Sequence, residues 1–381
     1  LIPRLNLCIN YPIFLHFWIK VFGISEFAVR LLSAVAGSLA CSFLFLLALR
    51  FFNWQTAVFS ILMYFSSNVI FYYAQEARTY SFVLLFVILS NYCYLRLTQE
   101  VNLKKGLIYG FLLGLFNIGL FYLHMLSCFN IIAQVILFPF FFVKISYFEL
   151  GKLSVKLNFN FFKYYFLAGI VSILMFLPWY KRFLYLVKEG GQTWWLKNPV
   201  IEDLKNSVYE LFTTQVIYQI YIYSLLVVIF LSFLKKLRND GFQFKLILFA
   251  IVTGPIALYL NYLVAAYSPI FLTRYVLFTF LGFILIYSYC ISLFKLRFEI
   301  KFLLLSILIG YSFSKMDIPR KVKQDYKGAV TYLKSISDEH TLITTDLPDV
   351  YAYYLDKDIF NINDATQKNK SLFDRGVFAQ V

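Results

Sequence analysis

Two short polar runs sit where apolar segments meet: Gln75-Glu76-Ala77-Arg78-Thr79-Tyr80 and Thr273-Arg274-Tyr275. A plain membrane anchor needs neither. Ionisable groups at a bilayer boundary cost little when hydrated and far more when buried, so those kept there invite a functional reading. Arg78 and Arg274 carry planar guanidinium forks, which grip carboxylate or phosphate through paired hydrogen bonds. Arg274 opens an apolar segment, where the helix dipole favours anions over cations. An anion held jointly by that arginine and the helix N-terminus accounts for its position. Arg30, behind Ser25-Glu26, opens the first long apolar segment on the same side. Three arginines at one depth suit a lipid-linked phosphate or pyrophosphate. Glu76 is the carboxylate beside Arg78, and His124 marks a tight turn between two further segments; these two are the candidate catalytic groups. Tyr80 and Tyr275 are their candidate supports. Each residue also has a plainer reading: a solvated ion pair for Glu76 and Arg78, a packing histidine, arginines that snorkel to the interface.

The elements that must position these residues are membrane helices. Of 381 residues, 61% are hydrophobic, against about 45–50% in a soluble globular protein. Mean hydropathy is +0.71. A spanning helix needs ~20 apolar residues, and runs this long satisfy their backbone in lipid only as helices. The candidate spans are ten: 31–49, 56–74, 80–95, 106–123, 126–143, 164–180, 215–234, 246–264, 275–293 and 300–314. Every second link is basic. One set holds Arg50; Arg96, Lys104 and Lys105; Lys144, Lys152, Lys156 and Lys163; Lys235, Lys236, Arg238 and Lys245; Lys295, Arg297 and Lys301. By the positive-inside rule this set is cytoplasmic, and all the candidate site residues fall on the opposite face. The net charge of +15 is thereby spent at span ends beside anionic headgroups, not on nucleic acid.

Three parts follow. Residues 1–30 form an outward loop, with 11–28 aromatic and amphipathic enough for interfacial helices. Residues 31–314 are the transmembrane helical domain. Residues 315–381 form a small extracytoplasmic α/β tail: a helix over 321–336, a strand at 341–345, then a second helix after Leu347-Pro348-Asp349. The outward loop 181–214 carries Gly190-Gly191 and the Trp194-Trp195 pair, which reads as an interfacial anchor. The expected fold class is therefore an all-α polytopic membrane protein. The opening at Leu1 leads us to expect a longer protein with an eleventh span upstream. The five cysteines show no CxxC spacing, so no disulfide framework or zinc site is implied. No phosphate-binding Gly-rich loop or soluble nucleotide-binding domain is present in the sequence, which argues against a primary pump.

At these residues the chain resembles the GT-C membrane glycosyltransferases, the glycosyltransferase family 39-like group related to protein O-mannosyltransferases and the lipid A aminoarabinose transferase. The resemblance runs from residue 11 to about 340. It rests on Asn10-Tyr11-Pro12-Ile13-Phe14, Ser25-Glu26-Phe27-Ala28-Val29-Arg30-Leu31, Gln75-Glu76-Ala77-Arg78-Thr79-Tyr80, the His124 turn, Pro178-Trp179, and Ser268-Pro269 followed by Arg274-Tyr275. It implies a polyprenyl-phosphate sugar donor, an acceptor hydroxyl on a lipid, glycan or protein, and a site facing outward from a bacterial inner membrane. The three arginines Arg30, Arg78 and Arg274 are then the candidate ligands of the donor phosphate. The resemblance also implies an Asp or Glu base in the first outward loop. Residues 1–12 hold neither, so that carboxylate is expected upstream of Leu1. No cofactor is demanded and no metal ligands are assigned, although related enzymes sometimes show a bound divalent ion. The alternatives are a transporter or flippase of a lipid-linked or anionic substrate, and a noncatalytic subunit. Transporters usually bind near the midplane between related repeats; here the charges sit at span ends and no repeat is visible.

Overall fold

The structure is a computed structural model that describes residues 10–147, 153–189, 198–213, 241–267, 271–315 and 325–336, with scattered positions between 215 and 226. Six described helical stretches are long and apolar enough to cross a membrane: Glu26–Phe51, Tyr80–Gln99, Leu103–Leu123, Met125–Phe142, Phe159–Trp179 and Phe242–Ala265. The pair Trp54–Ser66 and Asn68–Ala74 makes a seventh if counted as one, and it is bent by 71°. The chain is an all-α, multi-pass integral membrane protein. The ten spans expected from sequence are not reached by length and apolarity alone among the described helices. The expected span 215–234 lies largely outside them, and the segment 275–293 appears as the shorter apolar helix Leu277–Leu293.

In chain order the helices are α1 (Asn10–Phe22), α2 (Glu26–Phe51), α3 (Trp54–Ser66), α4 (Asn68–Ala74), α5 (Tyr80–Gln99), α6 (Leu103–Leu123), α7 (Cys128–Phe142) and α8 (Phe159–Phe176). Then come α9 (Tyr180–Glu189), α10 (Ile201–Leu211), α11 (Gly241–Ile251), α12 (Ala257–Ala265), α13 (Phe280–Leu293), α14 (Phe298–Lys315) and α15 (Tyr326–Ile336). Small polar residues start many of them. The Ala28 N–H donates to Ser25 Oγ, Thr56 N–H to Asn53 Oδ1 and Lys105 N–H to Asn102 Oδ1, at 3.2, 2.8 and 3.1 Å. Each such cap satisfies a backbone donor that the helix itself leaves orphaned. Among the described residues the basic link 144–163 is not merely a loop. It carries an antiparallel hairpin, β1 (Val143–Tyr147) on β2 (Leu153–Leu157), with Val143 opposite Leu157 and Tyr147 opposite Leu153. The sequence reading misses this. The signal was there, since Val-Lys-Ile-Ser-Tyr and Leu-Ser-Val-Lys-Leu both alternate with the period of a strand.

Packing explains how the helices hold register in lipid, where apolar burial gives them little preference for one another. Gly106, Gly110 and Gly114 line one face of α6 at four-residue spacing, against α8. A Cβ at Gly110 would sit 2.7 Å from the Tyr164 carbonyl oxygen, and one at Gly114 would sit 2.7 Å from that of Ala168. Small residues at this spacing let two backbones approach closely. Further in, Ser90, Asn91, Asn117, Asn130 and Gln134 tie α5, α6 and α7 together. Gln134 Nε2 donates to Ser90 Oγ at 2.8 Å and to Asn91 Oδ1 at 3.0 Å, and Asn117 Nδ2 donates to Gln134 Oε1 at 3.1 Å. Interhelical hydrogen bonds of this kind contribute about 0.6–2 kcal/mol each.

The links also sort by contact. Lys245 Nζ donates to the Val143 carbonyl at 2.8 Å, Asn158 Nδ2 to that of Thr98 at 3.0 Å, and buried Lys301 to Gln55 and the Ser292 carbonyl. These contacts join the basic links and the span ends beside them. On the other set, Thr79 Oγ1 donates to the Leu123 carbonyl and Ser33 Oγ to that of Arg78, while the Ser207 and Thr273 hydroxyls pair. By contacts the chain divides into Leu1–Met316 and Asp317–Val381. The described part of the second unit is α15, inside the helix expected at 321–336; the expected strand at 341–345 and the helix after it lie outside the described residues.

Candidate functional site

The 71° bend between α3 and α4 turns the chain at Ser67, whose Oγ caps the new helix at Ile70 N–H. The polar triplet Ser66-Ser67-Asn68 explains the break, because short hydroxyl and amide side chains compete for backbone groups. The result is that α4 delivers Tyr72, Tyr73 and then the Gln75–Thr79 turn. That turn is held in place. Arg78 N–H donates to the Glu76 carbonyl at 2.7 Å, Ser81 Oγ to that of Tyr73 at 3.3 Å, and Thr79 Oγ1 to that of Leu123 at 3.1 Å. Glu76, its side chain 14% exposed, pairs with Arg78 Nε at 3.3 Å and also engages Tyr72.

The Thr79–Leu123 bond places His124 beside the turn. His124 ends α6 with an extended backbone, and its ring lies 4.8 Å from that of Tyr275 and 6.1 Å from that of Tyr80. Tyr80 in turn meets Tyr73 at 4.5 Å. Arg274, on the short 3-10 turn Thr273–Tyr275, lies over the Tyr275 ring at 5.2 Å and engages the side chains of Tyr73 and Tyr275. The charges of Arg78 and Arg274 both act on Tyr73 and Tyr80. Four of the residues singled out from sequence, Glu76, Arg78, His124 and Arg274, are thus gathered around one set of tyrosines, Tyr80 and Tyr275 among them.

Arg30 stands on α2 one turn before Ser33, whose Oγ donates to the Arg78 carbonyl at 3.3 Å. It is half exposed and pairs with Glu26 one turn earlier at 3.8 Å. Sequence reasoning also passed over Tyr72 and Tyr73, which form one wall of the cluster. Their signal was position: they immediately precede the Gln-Glu-Ala-Arg run.

The electrostatics follow from burial. Burial first, and then the Arg274 charge, lower the His124 pKa to about 4, so the imidazole is neutral at physiological pH. Burial works against charge on Arg274 too, but the tyrosine oxygens of residues 275, 80 and 73 outweigh it and its pKa is raised. Its Nε is buried without a hydrogen-bond partner, and no described carboxylate forms an ion pair with it. A fixed cation with a spare donor, beside a neutral imidazole and phenol hydroxyls, is a receptor for an oxyanion. Among the described residues no group of three His, Cys, Asp or Glu side chains could hold a metal ion.

Residues 9–181 match the family model of the dolichyl-phosphate-mannose-protein mannosyltransferases. That match is a similarity over somewhat less than half of the chain. It includes Glu76, Arg78 and His124 and stops before Arg274. No curated protein matches the chain in sequence. A solved structure, ArnT from Cupriavidus metallidurans in the apo state, superposes with a TM-score of 0.49 at 11% identity, covering 87% of this chain and 55% of that one. The chain therefore spans about half the length of that protein.

Proposed function

We propose that this chain is a GT-C glycosyltransferase that moves a sugar from a polyprenyl-phosphate donor to an acceptor hydroxyl on the outward face of the membrane. The observation that carries the reading is the buried Arg274 Nε, left without a protein partner inside the tyrosine and histidine cluster. In this reading Arg274 and Arg78 grip the donor phosphate at the rim of the bilayer, while the polyprenyl chain stays in lipid. Glu76 is committed to Arg78 and Tyr72 and holds that arginine in place. His124, being neutral, gives or receives a hydrogen bond without adding charge.

The chemistry balances without a nucleotide sugar. The acceptor O–H loses its proton to a carboxylate base, a new bond forms between that oxygen and the anomeric carbon, and the bond from that carbon to the phosphate oxygen breaks. Polyprenyl phosphate leaves with the electron pair. The growing charge on phosphate is what preorganised guanidinium groups stabilise best. The base is a carboxylate, the role that the family resemblance gives to an Asp or Glu of the first outward loop. The acceptor, whether lipid, glycan or protein, meets the donor on the same face.

A broken span also occurs in transporters, which bind ligands near the midplane. Here the polar groups deep between α5, α6 and α7 are uncharged amides and a hydroxyl bonded largely to one another, and the charges gather at the link instead. That favours transfer over transport. The test is a transfer assay with a panel of polyprenyl-phosphate sugars and reconstituted protein. Formation of a glycosylated acceptor with release of polyprenyl phosphate is the expected result. Movement of intact donor across the bilayer without cleavage would establish the transport reading in its place.

A further inference from the structure

Thr213 has a backbone φ of 66°, the only positive value for a non-glycine among the described residues. A β-branched residue in that region is a genuine outlier, and strain of this kind points to a task when the surroundings enforce it. The surroundings do. Thr213 Oγ1 accepts the Asn68 N–H at 2.7 Å and donates to the Ser66 carbonyl at 2.9 Å. Those are the backbone groups on either side of Ser67, where α3 breaks and α4 begins. One hydroxyl from a residue 145 positions away thus satisfies both sides of the break.

The segment that delivers Thr213 is pinned elsewhere too. Phe212 is fully buried, its ring 5.2 Å from that of Phe280 at the start of α13. One and a half turns earlier, buried Ser207 pairs its hydroxyl with Thr273 at 3.2 Å. Thr273 is the residue before Arg274. So α10 with the two residues that follow it touches both halves of the cluster: the α4 root that carries Tyr73 and Glu76, and the turn that carries Arg274.

We infer that residues 201–213 form a strap that sets the two halves of the site against each other, with the Thr213 hydroxyl as its latch. Thr213 is a positioning residue. It fixes the direction in which α4 leaves the break, and hence where Tyr73, Glu76 and Arg78 stand relative to Arg274. The strain is retained because a glycine, which would relax the backbone, carries no hydroxyl.

The inference rests on the donor reading above for its activity arm, and a second arm is independent of it. Thr213→Gly frees the backbone and removes the hydroxyl; Thr213→Val keeps the shape and removes the hydroxyl; Thr213→Ser keeps the hydroxyl. The full chain is placed in lipid nanodiscs, amide hydrogen exchange is followed over residues 67–75, and sugar transfer is measured alongside. Thr213→Gly and Thr213→Val should speed exchange over 67–75 at least tenfold and cut turnover at least tenfold, with exchange in α6 and α8 unchanged. Thr213→Ser should restore both to within about threefold of the parent. Parent-like exchange in Thr213→Gly or Thr213→Val overturns the latch, and so does a Thr213→Ser variant as loose as Thr213→Gly. Should the parent transfer no sugar from any donor, or Arg274→Ala transfer normally, the donor reading fails while the exchange arm alone decides the strap.

Discussion

The guanidinium of Arg274 is the residue on which the site turns. It is half-buried, lies over Tyr275, and keeps one donor unused. Removing one preorganised donor to a developing oxyanion costs about 2.7–4 kcal/mol, so Arg274→Ala should lower turnover by roughly 10²–10³-fold with the protein still folded. Arg274→Lys keeps the charge and loses the planar fork, so it should recover only part of the rate. Normal turnover in Arg274→Ala would remove the residue from the reaction. His124 gives a second handle. Its pKa is about 4 in the folded chain against 6.5 ordinarily. Above pH 6.5 it is neutral in both folded and unfolded states. As pH falls from there towards 4, the unfolded chain takes up a proton that the folded chain refuses, so stability is lost across that window. The melting temperature of the parent should therefore fall more steeply on acidification than that of His124→Gln. Equal slopes would mean that the imidazole is not held neutral by its surroundings.

At the scale of elements, the site depends on a broken helix and on close helix contacts that keep its neighbours fixed. The α6–α8 contact is the sharpest case. A side chain at Gly114 would meet the Ala168 carbonyl and Val171 at under 3 Å, and backbone cannot step aside as a flexible side chain can. Gly114→Val should destabilise the protein by about 1–3 kcal/mol through overpacking, seen as a lower melting temperature in detergent. At Gly310, on α14, a Cβ would meet nothing within 4 Å, so Gly310→Ala should be neutral or stabilise by up to about 1 kcal/mol. Equal losses at the two positions would contradict the packing account. The contrast is set by geometry across the bundle, which no count of glycines in the chain conveys.

At the scale of the whole molecule, the alternation of basic links predicts which ends meet. Cysteines placed at Gln75 and Ser314 should be labelled from one side of the membrane and those at Lys104 and Lys236 from the other; a mixed pattern would overturn the arrangement. Much of the helical architecture was legible because lipid imposes a long apolar run on every span, and α2, α5, α6 and α7 fall where hydropathy put them. The links stood out because few charges fall on that face beside the apolar runs, which singled out Glu76, Arg78 and Arg274, and the structure sets these three around the same tyrosines. What escaped was long-range geometry. Ser66-Ser67-Asn68 looked like part of one span, since short polar residues are tolerated within a helix and the Thr213 hydroxyl that satisfies both sides of the break comes from 145 positions away.

Binding of polyprenyl phosphate to the chain in nanodiscs tests the central claim most directly, because it needs neither the sugar nor the acceptor to be known. Each charge-assisted hydrogen bond to phosphate contributes about 1.5–3 kcal/mol, so Arg274→Ala should weaken binding by roughly 10–100-fold, and Arg78→Ala should weaken it too. If Arg274→Ala binds polyprenyl phosphate as tightly as the parent, the cluster around Tyr73, Tyr80, His124 and Tyr275 is not the place where the donor is held.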